Sequence, residues 1–253
     1  MLHYQNKQNK YGQKNTSSKN DMKTLSQLTE DVKISKKLQN YKIQYRPNSY
    51  LELKKIINEK HKKMINGYID CKDIDVSYID ELGSRGEKYA IYSNGSNTPE
   101  YEEFGLFRDL KGIKTIDIYG WNTSNVKYMS YMFWNCEDLQ EIIGINNIDV
   151  SNVISMQGMF GKLPKLTKIN LSGWNPEYVK NIRNLFAECE NLRTLDLSWK
   201  TPNLDSAEYA FDGCKKLIEI NGIENWNPKK SIDTDFMFDC CYELKSRPSW
   251  YMK

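Results

Sequence analysis

The sequence is poor in the side chains that carry most catalysis. It has two histidines, His3 and His61, in 253 residues, which leaves no constituents for a histidine-based triad or a metalloprotease site. The phosphate-cradling motifs Gly-x-x-x-x-Gly-Lys-Ser/Thr and Gly-x-Gly-x-x-Gly are missing, and with them the usual nucleotide-binding loops. Six cysteines are present, but no C-x-x-C pair and no histidine partner, whereas a structural zinc site gathers close-spaced ligands. Acids are plentiful without a recognisable pocket motif, which is the pattern of a solvated face. The expectation is a chain without enzymatic activity, cofactor or metal.

Long apolar runs are also lacking. No stretch reaches the roughly 18 apolar residues that a membrane-spanning helix needs, and the mean hydropathy is −0.72 with 27% charged residues. The opening MLHYQNKQNKYGQKNTSSKND has no apolar core of a secretory signal. A cytoplasmic protein is expected on this evidence, the alternative being a cell-surface or secreted protein exported by a non-classical route.

Charge is present and unevenly placed. Residues 1–40 carry eight Lys against three acids, residues 41–66 carry seven Lys or Arg against two, and the remaining 187 residues hold 21 basic and 28 acidic side chains. A basic head thus precedes an acidic body. Such a head can attract anionic surfaces, but it has too few aromatics and arginines for specific nucleic-acid recognition. Residues 1–38, rich in Lys, Asn, Gln and Ser and poor in apolar residues, read as a disordered basic tail.

The body repeats. Phe133, Phe160, Phe186, Phe211 and Phe238 fall 27, 26, 25 and 27 residues apart. Six residues after each comes Leu139, Leu166, Leu192, Leu217 or Leu244, and twelve before stands Trp121, Ile148, Trp174, Trp199 or Trp226. Val126, Met129, Met132 and Phe133 are spaced i, i+3, i+6 and i+7, as are Val153, Met156, Met159 and Phe160, which predicts a helix with one apolar face. After each Leu, apolar residues two apart predict a short strand. Units of about 26 residues that cannot bury their apolar faces alone must stack.

DIDVSYIDEL at 73–82 and LFRDLKGIKTIDIYGW at 106–121 supply the two halves of an earlier copy. The insertion between them, within 83–105, is expected to protrude as a loop. NSYLELKKIINEKHKKMING predicts an N-terminal capping helix with Leu53, Ile56 and Ile57 on one face and Gly67 as its stop. The organisation read from the sequence is therefore a tail at 1–38, a cap of short strand and helix at 39–72, the repeat array at 73–245 and a C-terminal tail at 246–253.

WNTSNVKYMSYMFWNCEDLQEI and IDVSNVISMQGMFGKLPKLTKINLSGW resemble the BspA-like leucine-rich-repeat proteins, the repeat family also seen in mycoplasmal lipoprotein-associated proteins. The resemblance covers roughly residues 73–245. It implies an α/β leucine-rich-repeat solenoid of helix–strand units, and a bacterial surface protein that adheres to other proteins or host cells.

Cys136, Cys189, Cys214 and Cys241 each follow the repeat Phe by three residues, the recurrence of a small packing residue; disulfides between neighbouring copies are the alternative. The in-phase Trp residues read as a core or edge ladder, whereas Trp134, Trp250 and the tyrosines of the insertion are out of phase and are candidates for contact. The exposed strand positions are expected to line up as a continuous concave strip of Thr115, Asp117, Tyr119, Glu141, Ile143, Lys168, Asn170, Thr194, Asp196, Glu219 and Asn221. Four acids against one Lys make it mildly negative, which fits a protein partner with a basic patch. Three functions are open at this point: a protein-binding module using that strip, a bacterial surface adhesin, and a carbohydrate-binding module.

Overall fold

The computed structural model describes residues 42–84, 89–91, 100–102 and 105–251. The expected tail at 1–38 and the start of the cap at 39–41 lie outside the described residues. The described chain contains one α-helix, α1 (Tyr50–Lys62), and seven three-residue strands: β1 (Tyr68–Asp70), β2 (Tyr89–Ile91), β3 (Glu100–Glu102), β4 (Thr115–Asp117), β5 (Glu141–Ile143), β6 (Thr194–Asp196) and β7 (Glu219–Asn221). Parallel sheets are formed by β1-β4-β5 and by β6-β7, and β2-β3 is an antiparallel pair.

α1 starts where the sequence places it. Ser49 is the N-cap, accepting from the Glu52 N–H through its hydroxyl, and Leu53 and Ile57 are buried. Its end differs from the expectation, because the helix stops at Lys62 and the chain turns twice before Gly67. Gly67, at φ 81°, is required instead by close approach: a Cβ there would lie 2.7 Å from the Gly112 carbonyl oxygen.

The helix expected in each copy is absent, so the solenoid of helix–strand units is not the observed fold. Most of the described chain is turn and coil around two small parallel sheets. The hydrogen bonds give the reason. In residues 129–136, Met132, Trp134 and Cys136 N–H groups bond three residues back, to Met129, Tyr131 and Phe133. The intervening N–H groups of Tyr131, Phe133 and Asn135 leave the segment and bond Gln157, Met159 and Gly161 of the next copy at 2.7–3.0 Å. An α-helix would consume all of these donors internally. Tyr131 and Asn135, at φ 58° and 59°, are also left-handed, which a helix excludes. Successive three-residue turns and a helix share the spacing i, i+3, i+6, i+7, so periodicity cannot separate them.

This alternation recurs at Gly158, Phe160 and Lys162, at Asn184, Phe186 and Glu188, and at Tyr209, Phe211 and Gly213. The copies are thereby knitted backbone to backbone. Parallel bridges run in one column through Glu81, Tyr128, Ser155, Asn181, Ser206 and Asp233. Inside that frame the apolar positions form ladders. Phe107, Phe133, Phe160, Phe186, Phe211 and Phe238 stack with ring centroids 5.2–6.0 Å apart and are essentially fully buried. Each such pair adds about 0.5–1.5 kcal/mol beyond area burial.

A second ladder runs through Trp174, Trp199, Trp226 and Trp250 at 5.9–6.0 Å. Trp250, expected out of phase and free for contact, is its last rung, with its indole N–H on the Ile223 carbonyl. Tyr251 meets Phe238 edge-on and Ser249 bonds Glu224. Ser249, Trp250 and Tyr251 therefore close both ladders, where a C-terminal tail was expected.

All six cysteines are free thiols. Cys136, Cys189, Cys214 and Cys241 each donate across copies to a Phe carbonyl, at Phe107, Phe160, Phe186 and Phe211 respectively, over 2.9–3.1 Å. The recurrence of cysteine thus reflects a small apolar residue with a weak donor aimed at the neighbouring turn.

Of the insertion, the described backbone is β2-β3. Its ends are held where Gly83 bridges Gly105. Both glycines press on the 130–131 backbone, since a Cβ on either would lie 1.9 Å from a carbonyl oxygen.

Candidate protein-binding surface

The strand face is built by alternation. In β4 and β5 the central residues Ile116 and Ile142 point into the core, and in β6 so does Leu195, leaving the flanking positions on the other side. Parallel pairing sets these flanking residues in rows: Tyr68, Thr115 and Glu141 in one, Asp70, Asp117 and Ile143 in the next. The second sheet aligns Thr194 with Glu219 and Asp196 with Asn221.

The expected residues are not equivalent. Glu141, Lys168, Asn170, Thr194, Asp196 and Asn221 are exposed, and Thr115, Tyr119, Ile143 and Glu219 are half-buried. Asp117 is buried at 5% exposure and leaves the strip. Its carboxylate accepts from Lys72 Nζ at 2.7 Å and Tyr68 Oη at 2.8 Å, and from the Tyr119 N–H at 3.1 Å. Burial, then the hydrogen bond to Asp117, pushes the Tyr68 phenol up to about 12. For Lys72, burial alone would lower the ammonium, but bonds to Asp117 and Tyr68 together with the nearby carboxylates outweigh it and hold the group charged. Asp117 is thus a tie between cap and array, a partnership that no periodic reading of strand alternation could reveal because Lys72 lies outside any strand.

Nor is the strip continuous. Residues 167–170 form no strand, so the two sheets are separated at Lys168 and Asn170. A cleft of about 710 Å³ lies there, lined by residues 140–146 and 166–170. The sequence reading also missed Tyr68 and Asp70, which extend the first sheet's rows. The only sequence signal was the alternation in YIDC, too short to mark a strand on its own.

The out-of-phase Trp134 is half-buried. It packs edge-on to Tyr131 and lies between Arg108 and Lys162, at 6.0 and 5.6 Å from their cationic groups. The in-phase Trp121, Trp174, Trp199 and Trp226 are at most 5% exposed and offer no open face for a sugar ring. Among the described residues no group of three or more His, Cys, Asp or Glu could hold a metal ion. No described helix is long and apolar enough to cross a membrane.

What this geometry can do is present two short rows of mixed polar, acidic and apolar side chains on a backbone fixed by cross-copy hydrogen bonds. Residues 104–226 and, overlapping them, 198–252 match the family model described as "Mycoplasma protein of unknown function, DUF285", together more than half of the chain. No curated protein and no solved structure matched.

Proposed function

The chain belongs to the DUF285 family, and since that membership brings no activity with it, we propose from the chain's own surface a protein-binding module without enzymatic activity that uses the exposed strand positions. The observation that carries this reading is the register of the parallel strands. It sets Glu141 beside Thr115 in the row that continues to Tyr68, Ile143 beside the buried Asp117 in the row that continues to Asp70, Glu219 beside Thr194 and Asp196 beside Asn221. Glu141, Asp196 and Glu219 give the rows a negative character with Lys168 between them. Ile143 and Tyr119 add apolar area, so the complementary partner is a protein surface with a basic patch.

A photo-reactive residue tests the site directly. Placed at Glu141 or Thr194 it is expected to crosslink the partner. Placed at Tyr178, which is exposed but lies outside both rows, it is expected to capture nothing. Equal capture at all three positions contradicts the reading.

A further inference from the structure

We propose that this chain assembles head to tail, the basic end formed by residues 42–68 of one molecule docking on the acidic end formed by residues 231–251 of the next. Three features point there. First, exposed apolar side chains gather at the two ends. Among the described residues nine large apolar side chains are exposed, and seven of them lie at the ends: Ile43, Tyr45, Leu51, Ile65 and Tyr68 at the first, Phe236 and Tyr242 at the second. Only Tyr78 and Tyr178 lie on the length between. Apolar area concentrated in this way marks a contact surface, and here it marks two.

Second, the two ends have opposite charge. Residues 42–66 hold seven Lys or Arg against two acids. Four of the seven are engaged: Lys60 has Asp73, Arg46 has Asp75, Lys62 has Glu59, and Lys54 donates to the Gly105 and Leu106 carbonyls. Lys42, Lys55 and Lys63 are left, exposed and without a carboxylate within salt-bridge distance among the described residues, against the one remaining acid of the segment, Glu52. At the other end, residues 231–243 carry Asp233, Asp235, Asp239 and Glu243, all exposed, and no Lys or Arg. The crowding is felt by the half-buried Asp212, whose carboxyl is raised above its ordinary value by burial first and then by Asp239 and Glu188. Like ends therefore repel and unlike ends attract, which selects a heterologous contact over a symmetric one. The chain's own residues 1–40, with eight Lys against three acids, have the wrong sign to cover the basic end.

Third, the acidic end leaves a backbone donor open. Tyr209, Phe211 and Gly213 each pass an N–H onward to the following repeat at 2.9 Å. Cys240 stands one repeat later in the place of Gly213, with the same left-handed backbone at φ 55° against 71°. It is exposed, and its N–H has no acceptor among the described residues. At the basic end the Gln44 and Arg46 carbonyls, flanking the Tyr45 that bridges Ile74, accept from no described backbone group. Because each molecule carries one end of each kind, the contact repeats from molecule to molecule until it closes as a ring or continues as a filament.

The test is sedimentation velocity of the full chain at rising concentration. The mean mass should exceed that of the monomer at low salt and fall back toward it at about 0.5 M salt. Lys55→Glu/Lys63→Glu at the basic end should raise the concentration needed for assembly by about tenfold or more, and so should Asp239→Lys/Glu243→Lys at the acidic end. All four side chains are exposed and lie outside the strand rows. Mixing the two variants should restore assembly, because the reversed end of each then fits the reversed end of the other while their unchanged ends still match. A wild type that stays monomeric at low salt, its basic end covered by its own residues 1–41 or by nothing, overturns the proposal. So does assembly that survives Asp239→Lys/Glu243→Lys, as it would if the basic end sat on Glu141 and Asp196 instead. A mixture that stays monomeric while circular dichroism shows both variants folded overturns it as well.

Discussion

Lys72 Nζ lies 2.7 Å from Asp117 Oδ2 with both side chains largely out of solvent, at 14% and 7% exposure. The pair joins the segment after β1 to β4, and so fastens the cap to the array. Removing Asp117 takes the shortest carboxylate contact from Lys72, which keeps Asp70 at 3.3 Å, and removes the acceptor of the Tyr68 hydroxyl. Asp117→Ala is therefore expected to cost about 2–3 kcal/mol. Glu141→Ala, one strand along and exposed, should stay within about 0.5 kcal/mol. Urea denaturation of the two variants checks the contrast, and equal losses would mean that Asp117 is not the tie described.

The phenylalanine ladder should dominate stability. Phe186 lies between Phe160 and Phe211, at 5.2 and 6.0 Å, and is fully buried. Phe186→Ala is expected to cost about 3–5 kcal/mol, read as a lowered denaturation midpoint.

The indole ladder needs its terminal rung. Trp250→Ala removes the stack on Trp226 and the bond to the Ile223 carbonyl, for an expected loss of about 2–4 kcal/mol. Tryptophan fluorescence should change as well, because Trp226 becomes accessible to acrylamide. Unchanged quenching would place residues 246–251 outside the ladders.

The thiols should separate by position. Cys136, Cys189 and Cys214 are fully buried while Cys240 is exposed, so native alkylation should label Cys240 quickly and spare those three. Burial pushes Cys136 and Cys189 up to about 12 from an ordinary value of 9.0. The unfolded chain then releases these protons from about pH 9 upward while the folded chain holds them, so the stabilisation they lend is complete below pH 9 and is lost as pH rises to 12. Alkaline unfolding that is insensitive to Cys189→Ala would contradict this linkage.

The repeat was legible because burial recurs in the same phase: Phe186, Leu192 and Trp199 were readable as core from spacing alone, and all three are buried. The helix was misread at Met129 to Phe133 because three-residue turns impose the same apolar spacing. Only the left-handed residues distinguish the two, and Tyr131 in that conformation violates ordinary preference, so composition could not announce it. The strand rows at Glu141 and Asp196 followed from alternation. The loss of Asp117 to Lys72, and the gap at Lys168, depend on contacts between segments 45 residues apart and on the different lengths of neighbouring copies, neither of which has a local signature. Trp250 was displaced from its rung for the same reason: the last copy is shorter, and phase counted in residues drifts where stacking in space does not.

The central claim is that the exposed strand rows hold a protein partner. Its most direct test is affinity capture from one lysate on wild type, on Glu141→Lys/Asp196→Lys/Glu219→Lys, and on a chain lacking residues 86–102, with the retained proteins identified by mass and their affinities then measured singly. The partner is predicted to bind wild type and the deletion variant alike and to lose at least about tenfold in affinity for the charge-reversed variant. A charge-reversed chain that is folded and binds that partner as tightly as wild type would contradict the account.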